Sequence, residues 1–477
     1  MKSIKNLLAN PKLRYGGYAS LITFAVIVAV IIINLLLAQA EVQVDLTDNN
    51  VYTLSDQTRE ILDELDEDVT IYVLARRNEE PVQIMEALDR YAQASPRVRV
   101  ETVDADRNPG FVAQYDPEGE GLGNGSIVVA TEDNYRTISL YDLYSIDNRN
   151  PQQPVIMGLN VERRVTNALV YVATGRTPII YQTIGRGEAQ VEQIGDLGAD
   201  LEAENYEVRS INLIQAPQVP DDAAVLFMFG PRSDISEGEA EKISDFLEQG
   251  GRAIFMIDVL LDEMPVLNSL LSAYGLGIGY GVVIEGNQNF HTGNQFQLVP
   301  NLADTDITAP LVEARSPIMM QFGRPVEILD QKPRGVTIDP LVVTSSDSYL
   351  RTSLQNQDPE RQPGEAAGPF ILAAGAVETE FATGDEISRI VLIGNARFIG
   401  PILPYGYIPG NRDFLLNSIG WLQNQQETLS IRAKTTMQFP MQLTGIQVLI
   451  FGGLFVVIIP LGILIAGLVV WLRRRHL

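Results

Sequence analysis

The sequence predicts an α/β protein in which two transmembrane helices flank two extracytoplasmic α/β domains. Two apolar runs, one near each end, have the length needed to cross a membrane. Between them, short apolar strands alternate with amphipathic helices, the pattern of an α/β fold. The predicted order is a cytoplasmic basic tail (1–14), transmembrane helix 1 (15–40), a first domain (41–174), a second domain (175–430), a connector (431–445), transmembrane helix 2 (446–472) and a second basic tail (473–477).

The two apolar runs extend from Tyr18 to Leu37 and from Ile446 to Leu472. About 20 helical residues, at a rise of about 1.5 Å each, cross a hydrocarbon core of about 30 Å. Basic residues flank the outer ends of both runs: Lys2, Lys5, Lys12, Arg14, Arg473, Arg474 and Arg475. Because positive charge favours the cytoplasmic side, we expect a two-pass protein of the cell membrane, with both termini in the cytoplasm and the middle outside.

The first run also has features of a cleaved signal peptide. Ala38-Gln39-Ala40 resembles a small-x-small cleavage site, whereas the apolar stretch is longer than the roughly 7–15 residues usual for a signal peptide. The length favours a retained anchor, and the second run would hold the protein on the membrane in either case. Asn34 is polar within the first run. Two explanations fit it, namely a hydrogen bond to a partner helix and a position near the membrane interface.

Composition describes a large acidic globular region. The chain has 477 residues and a formal net charge of -25. Seven of its 35 basic residues lie in the two tails, so the middle region carries all 60 acidic and only 28 basic side chains. Such a surface repels nucleic acid and anionic lipid. The chain has no cysteine, which excludes disulfides, thiolate nucleophiles and cysteine-ligated zinc.

The first domain shows the order helix, strand, helix, strand, hairpin. Ser55 is a good N-cap for a helix reaching Leu65, and apolar alternation predicts a strand at Val69–Ala75. A helix at Ile84–Ala94, a strand at Val98–Asp104 and a hairpin around residues 126–140 follow. This order is compatible with a thioredoxin-like layer. Without cysteine the layer cannot perform thiol redox chemistry, so we expect a structural or binding role.

The second domain alternates strands and helices from Pro178 onward. Ala224–Phe229 is a continuous apolar run, as expected inside a parallel sheet. Ser236 and Glu239 form a capping box, and Gly250-Gly251 ends that helix. The other predicted elements are strands at Ile179–Thr183, Val208–Leu213, Ala253–Ile257, Phe370–Val377 and Ile390–Gly394, and helices from about residue 188 to Asn205 and from Asn411 to Leu422. The region from Gly286 to Arg334, rich in Asn, Gln, Gly and Pro, matches no regular pattern.

The candidate site lies where these strands end, because open α/β sheets bind ligands at the carboxyl ends of their strands. The residues there are Gly185, Arg186, Gly187, Glu188, Gly230, Arg232, Ser233 and Asp258. They fit a cleft for a ligand or partner, in which Glu188 and Asp258 converge. The alternative, which the sequence favours, is that they are helix starts and strand ends that serve folding alone.

The sequence carries no recognisable catalytic, metal or cofactor motif. No G-x-x-x-x-G-K-[ST] loop is present, so the chain does not bind ATP in the Walker manner. His291 stands alone in a polar stretch, which is typical of a solvated loop residue, and His476 belongs to the basic tail. The carboxylates show no clustered metal-ligand spacing. We therefore expect no catalytic residue, no metal and no cofactor.

Several local motifs resemble one known family. The first group follows the first apolar run: Asn34, then Asp45-Leu46-Thr47, Tyr52-Thr53-Leu54-Ser55 and Thr58. The second group comprises Gly230-Pro231-Arg232-Ser233-Asp234, Gly250-Gly251-Arg252 and Asp258, and the last helix adds Asn417 and Trp421. Together they resemble the GldG family of auxiliary membrane proteins, which are encoded with ABC transporters and named from bacterial gliding motility. The chain departs from that family at Asn395 and Ala396, where an Asp would be expected.

The resemblance implies a fold and a role. The large domain would resemble the domain shared with intraflagellar transport proteins, a flavodoxin-like sheet related in fold to class I glutamine amidotransferases but without catalysis. The chain would be a non-catalytic auxiliary subunit of a gliding-type ABC transport complex, with a permease, an ATPase and the lipid bilayer as partners and an unknown cargo. Two alternatives remain. One is a membrane-anchored extracytoplasmic receptor for a solute or saccharide, and the other is a metal-assisted hydrolase.

Overall fold

The computed structural model describes residues 24–32, residues 53–423 with short gaps (77–78, 118, 120–121, 148–154, 260–262, 331–332, 354–359 and 380–386), residues 434–435 and single positions between 460 and 472. The chain divides into two compact units, Met1–Lys434 and Thr435–Leu477. Both α/β domains belong to the first unit.

The two predicted transmembrane helices lie near the ends of the chain. Residues 24–32 are helical, as are the described positions between 460 and 472. Among the residues that the structure describes, no helix has the length and hydrophobicity needed to cross a membrane. Most of both apolar runs, both basic tails, Asn34 and most of the connector lie outside the described residues. The transmembrane helices are therefore still predictions from the sequence.

The first domain is a four-stranded sheet covered by helices. The strand order is β2-β1-β3-β4, with β1 and β2 parallel and the other pairs antiparallel. Its elements are α1 (Asp56–Asp63), β1 (Val69–Leu74), α2 (Val82–Ala94), β2 (Val98–Val103), α3 (Pro109–Tyr115), β3 (Ile127–Ala130), β4 (Tyr135–Ile138), β5 (Tyr144–Asp147), β6 (Val155–Leu159) and α4 (Val161–Thr174). Ser55 caps α1 as predicted, and the predicted strands and hairpin are confirmed within one or two residues.

The second domain is built on a large mixed sheet. Its main path is β11-β16-β20-β21-β10-β9-β7-β8, with β17 and β14 attached at β20. The elements are β7 (Ile179–Thr183), α5 (Leu197–Ala203), β8 (Glu207–Ile211), β9 (Ala223–Phe229), α6 (Glu237–Glu248), β10 (Arg252–Met256), α7 (Pro265–Ser272), β11 (Leu276–Ile278), β12 (Val282–Ile284), β13 (Gln297–Leu298), β14 (Asn301–Leu302), α8 (Ala309–Glu313), β15 (Met320–Gln321), β16 (Val326–Ile328), β17 (Val336–Val343), β18 (Tyr349–Arg351), β19 (Ala366–Ala367), β20 (Ile371–Glu378), β21 (Ser388–Ile393) and α9 (Pro409–Leu422). A short strand, β22, lies at Lys434–Thr435.

The sheet is parallel in only part of its width. Strands β8, β7, β9, β10 and β21 are parallel, and β20, β17, β16 and β11 continue it by antiparallel pairing. The capping box of Ser236 and Glu239 is confirmed. The predicted helix to Asn205 is wrong in extent. A 3-10 turn at Val191–Gln193 comes first, and α5 begins only at Leu197 because Gly195 adopts a left-handed φ of 50° between them.

The core lies on both faces of the large sheet. Along β9, Val225 and Phe227 pack into one apolar cluster, whereas Leu226 and Met228 pack into the other. Burial on both faces explains why this strand is apolar at every position rather than at alternate ones. A third cluster forms the core of the first domain between its sheet and α1, α2 and α4.

A buried polar joint connects the two domains. Arg163 on α4 forms an ion pair with Glu204, which follows α5, at 2.6 Å, and Asn167 donates to the other carboxylate oxygen at 2.7 Å. Asn205 donates back to the Asn167 carbonyl at 2.7 Å. Burial alone would lower the pKa of Arg163, but Glu204, Asp413 and Asp200 together outweigh it and raise the pKa. Since removing one member of such a pair leaves a buried charge, the joint fixes how the domains dock.

Candidate functional site

The predicted site residues do lie along one edge of the parallel strands, called the strand edge below. It consists of Gly185–Glu188 after β7, Gly230–Ser233 after β9 and Asp258 after β10. Backbone hydrogen bonds join neighbouring segments, from Arg232 N to Arg186 O at 2.9 Å and from Gly230 N to Met256 O at 2.8 Å. The edge is therefore continuous, as parallel pairing requires.

Arg186 is the central charge of the strand edge. Its guanidinium donates through Nε and Nη2 to both carboxylate oxygens of Glu239, and through Nη1 to Ser233 Oγ at 3.3 Å. The Arg186 side chain is 18% exposed and that of Glu239 6%. Burial alone would raise the pKa of Glu239, but hydrogen bonds from Arg186 and Ser236 outweigh it and hold the pKa below its usual value. The hydrogen bond to Glu239 raises the pKa of Arg186.

The two acidic residues expected to converge have different partners. Glu188 accepts a hydrogen bond from the backbone N–H of Arg186 at 2.6 Å, which stabilises the turn after β7. Asp258 accepts from Arg397, which follows β21, at 3.0 Å, and its other oxygen accepts from the N–H of Val259. The Arg397 side chain is 78% exposed, so this pair contributes little stability. Each carboxylate therefore stabilises the turn in which it lies.

Two glycines at the strand edge are required by the backbone. Gly187 has a φ of 77°, and an added Cβ would lie 3.0 Å from Cδ of Arg232. Gly230 has a φ of 65°, and its Cβ would lie 2.7 Å from Cβ of Ala396. L-residues avoid this left-handed region, so both positions favour glycine on conformation alone. The glycines let the loops after β7 and β9 turn tightly against their neighbours.

The strand edge therefore consists of side chains that satisfy one another. Arg186 is neutralised by Glu239, and Asp258 by Arg397. In the part of the chain that the structure describes, no group of His, Asp and Glu could hold a metal ion. The sequence pattern identified Glu239 only as half of a capping box, and its bond to Arg186 is a further role that the spacing did not reveal. Use of this edge by a ligand is still a prediction.

Asn395, where the chain departs from the resembled family, lies at the end of β21. Its side chain is fully buried, and its Nδ2 donates to the backbone carbonyls of Gln321 and Phe322. A carboxylate could not donate to these two oxygens. The amide thus attaches the segment after β15 to the strand edge, which gives the departure a structural reason.

The region that matched no regular pattern contains a second candidate site. Residues 286–296 are called the amide loop below, and seven of them line an open cavity of about 670 Å³. His291 belongs to this loop, and its Nδ1 accepts a hydrogen bond from Gly293 N at 3.0 Å. It is partly buried, not a fully solvated loop residue as the sequence suggested. The only sequence signal for this site was the density of Asn, Gln and Gly.

The family-like residues near the start of the first domain have a structural task. The backbone N–H of Ser55 and the hydroxyl of Thr58 both donate to Oε1 of Glu162, at 2.6 and 2.8 Å. Glu162 lies in the first turn of α4, where negative charge is favoured. Tyr91 adds a hydrogen bond from its hydroxyl to the Glu162 carbonyl at 3.0 Å. This cluster connects α1, α2 and α4, so the motif stabilises the domain.

The fold and the site define a two-domain α/β protein whose strand edge is closed by its own ion pairs. Residues 179–418 match the family described as ABC-type uncharacterized transport system, and the match covers half of the chain. The protein belongs to this family, which supports an auxiliary role associated with ABC transport. Residues 48–143 match DUF7088, a domain of unknown function. No curated protein matches the chain.

Several solved structures show a partial likeness to the chain. The N-terminal domain of mmIFT52 is 13% identical, with 51% of this chain and 96% of that chain covered and a TM-score of 0.36. A protein assigned as a GMP synthase subunit from Thermoplasma acidophilum is 11% identical, covering 53% and 97% with a TM-score of 0.27. A glutamine amidotransferase from Thermotoga maritima is 9% identical, covering 47% and 78% with a TM-score of 0.25. All three TM-scores lie below 0.5, so these likenesses do not define the fold. The fold is described by the strand order given above.

Proposed function

We propose that the protein is a non-catalytic auxiliary subunit of an ABC-type transport complex, anchored in the cell membrane with its acidic domains outside. The observation that carries this proposal is the family match across the large domain. The chain has no Walker loop, so ATP hydrolysis must come from another subunit. The two apolar runs would dock against the helices of a permease.

The geometry of the strand edge supports a role without catalysis. Enzymes that use this edge aim reactive side chains at a substrate. Here Arg186, Glu188 and Asp258 are each engaged in hydrogen bonds within the protein. We also propose the finer assignment to the gliding-associated GldG type, which rests on the motifs quoted from the sequence.

Co-purification tests the association. The full-length protein, tagged at its C-terminus and solubilised in mild detergent, should recover a permease and an ATPase in fixed proportion. A matched variant that ends at residue 445 lacks the second apolar run and should lose most of both. Recovery of the full-length protein alone would contradict the proposal. Loss of gliding in a deletion strain, with other ABC transport intact, would support the GldG assignment.

Labelling of single cysteines tests the topology. The chain contains no cysteine, so every label reports the introduced position. Glu241→Cys lies on an exposed position of α6, and Ser3→Cys lies in the predicted cytoplasmic tail. A membrane-impermeant maleimide should label Glu241→Cys in intact cells, or in spheroplasts where an outer membrane is present, and Ser3→Cys only after permeabilisation. The reverse pattern would overturn the predicted orientation.

A second candidate is a membrane-anchored receptor that binds a small solute or saccharide at the strand edge. The favouring observation is the position of Arg186, Ser233 and Asp258 at the carboxyl ends of neighbouring strands. A ligand there would have to displace Glu239 from Arg186. Thermal shift of the full-length protein against a solute panel should then show hits that Arg186→Met abolishes. Hits unaffected by Arg186→Met would exclude the strand edge as their site.

A further inference from the structure

The amide loop borders an open cavity whose lining contains no Asp, Glu, Lys or Arg. The lining residues are Gly286, Gln288, His291, Gly293, Asn294, Gln295 and Phe296. A cavity without Lys or Arg has no permanent cation to compensate the desolvation of an anion, and the net charge of -25 repels anions further.

Several hydrogen-bond donors in this lining have no partner within the described residues. Asn294 Oδ1 accepts from Phe296 N at 3.1 Å, and Gln295 Oε1 accepts from the Tyr349 hydroxyl at 3.3 Å. The NH₂ groups of both amides are left to donate to a ligand. Gln288 is exposed, and its whole amide is available in the same way. The lining therefore offers N–H donors to a ligand that is rich in oxygen acceptors and uncharged.

One aromatic residue of the cavity lining packs against a second aromatic residue outside it. Phe296 is part of the lining, and its ring centroid lies 5.5 Å from that of Phe322. Phe322 is 38% exposed and has a φ of 59°, in the left-handed region. A bulky residue in that region is an outlier, and such strain is concentrated at functional sites. The backbone thus holds an exposed aromatic side chain beside the cavity at a cost to stability.

The amide loop is held in place before any ligand arrives. Glu285, at its base, is fully buried and accepts hydrogen bonds from Asn287 N at 2.9 Å, Ser345 N at 3.2 Å and Ser345 Oγ at 2.6 Å. At its other end, Thr292 bonds to Gln297 through both backbone and side chain. A pre-organised loop loses little conformational entropy on binding.

We propose that this cavity binds an uncharged saccharide. Sugar hydroxyl and ring oxygens accept hydrogen bonds from the amides, and the apolar C–H face of a pyranose packs against the Phe296–Phe322 pair. A cavity of about 670 Å³ suits a short oligosaccharide, since small-molecule sites span about 300–1,000 Å³. This site is separate from the strand edge and does not depend on the transport role.

Titration calorimetry on the full-length protein tests the proposal, in a detergent without a sugar headgroup. The probes are N,N′,N″-triacetylchitotriose and maltotriose, with trigalacturonate as the charged counterpart. At least one neutral trisaccharide should bind, and trigalacturonate should bind at least tenfold more weakly. Gln288→Ala and Asn294→Ala should each weaken binding about five- to tenfold, as loss of one hydrogen bond does. Asn289→Ala, an exposed amide of the same loop outside the lining, is the matched control and should bind like wild type.

The Phe322→Gly variant tests saccharide binding independently of the stability of the fold. Glycine removes the aromatic side chain and accepts the left-handed backbone, so Tm should hold or rise while saccharide affinity falls at least tenfold. Comparison of mono-, di- and trisaccharides distinguishes the source. Affinity that increases with length indicates a segment of an envelope polymer, and affinity that is already complete with the monosaccharide indicates a free solute. The proposal would be overturned if neither neutral trisaccharide binds at about 10 mM, roughly 10⁴ times the Kd of a 1 μM site. It would also be overturned if Phe322→Gly, Gln288→Ala and Asn294→Ala all bind with the affinity of the wild type.

Discussion

The strand edge and the amide loop satisfy their polar groups in opposite ways. At the strand edge, Arg186 binds Glu239 and Asp258 binds Arg397, so charged groups are paired within the protein. In the amide loop, the lining is uncharged and the NH₂ groups of Asn294 and Gln295 have no partner within the described residues. Because unused donors can be filled by a ligand without breaking an existing bond, the amide loop is better prepared for binding.

The two regions also differ in where they lie and in how free their polar groups are to bind a ligand. The strand edge has the location that α/β proteins use for ligands, yet a ligand there must compete with ion pairs already made. The amide loop lies outside the parallel strands, and Asn395 attaches the segment beside it to the end of β21. Three substitutions test these differences, beginning with Asn395.

Asn395→Asp should have the largest effect. The fully buried amide donates to the carbonyls of Gln321 and Phe322, and a carboxylate would place negative charge against both oxygens. We expect a loss of about 3 kcal/mol in the free energy of unfolding, typical of an unsatisfied buried charge or its protonated form. Urea denaturation monitored by circular dichroism measures it. Asn289→Asp, at an exposed position, is the control and should change stability by less than about 0.5 kcal/mol.

A change of less than about 1 kcal/mol in Asn395→Asp would show that Asn395 does not hold the two regions together. In that case, the family's expected Asp would be equally acceptable here, and the departure would have no structural reason.

Arg186→Met should come second, with a loss of about 2 kcal/mol, because it leaves the buried Glu239 carboxylate with only the Ser236 hydrogen bonds. Arg397→Met is the matched control at the same edge. Its side chain is 78% exposed, so the loss should stay below about 0.5 kcal/mol. Equal losses in the two variants would contradict the distinction between a buried and an exposed pair. Thermal and urea unfolding at neutral pH provide the comparison.

The Arg186 effect should depend on pH in a defined direction. Despite the opposing effect of burial, hydrogen bonds lower the pKa of Glu239 in the folded protein below its usual 4.5. Its contribution to stability is therefore fully present above about pH 4.5 and is lost as the pH falls through the folded pKa. The stability gap between wild type and Arg186→Met should accordingly shrink below pH 4.5. A stability gap that widens in acid would show that the effect of Arg186 does not come from its ion pair with Glu239.

The parts of the fold that local physics determines were predictable. The Ser55 cap, the Ser236–Glu239 capping box and the apolar strand β9 are each defined by a few neighbouring residues, and each is confirmed. Elements that depend on distant contacts were not. The helix expected to reach Asn205 is interrupted at Gly195, where an added Cβ would lie 2.9 Å from the ring of Tyr407, more than 200 positions away in the sequence.

The candidate sites divide in the same way. The strand-edge residues were predictable as a group because they follow successive strands, but the pairing of Arg186 with Glu239 joins residues 53 positions apart. The amide loop was not recognised as a site, because its conformation depends on Glu285 bonding to Ser345, 60 positions away. Asn411 likewise holds Met319 across 92 positions. Local sequence patterns contain no information on such contacts.

Gly230→Ala should have the smallest of the three effects, and Gly187→Ala is its matched control. Both positions have a left-handed φ, so each alanine costs about 1 kcal/mol in conformational free energy. They differ in what the new Cβ meets. At Gly230 it meets the buried Cβ of Ala396 at 2.7 Å, which cannot move without its backbone, whereas at Gly187 it meets the flexible stem of Arg232. We therefore expect Gly230→Ala to lose about 0.5 kcal/mol more than Gly187→Ala in urea unfolding, since only the former adds overpacking. Equal losses would mean that the strand edge yields at Ala396.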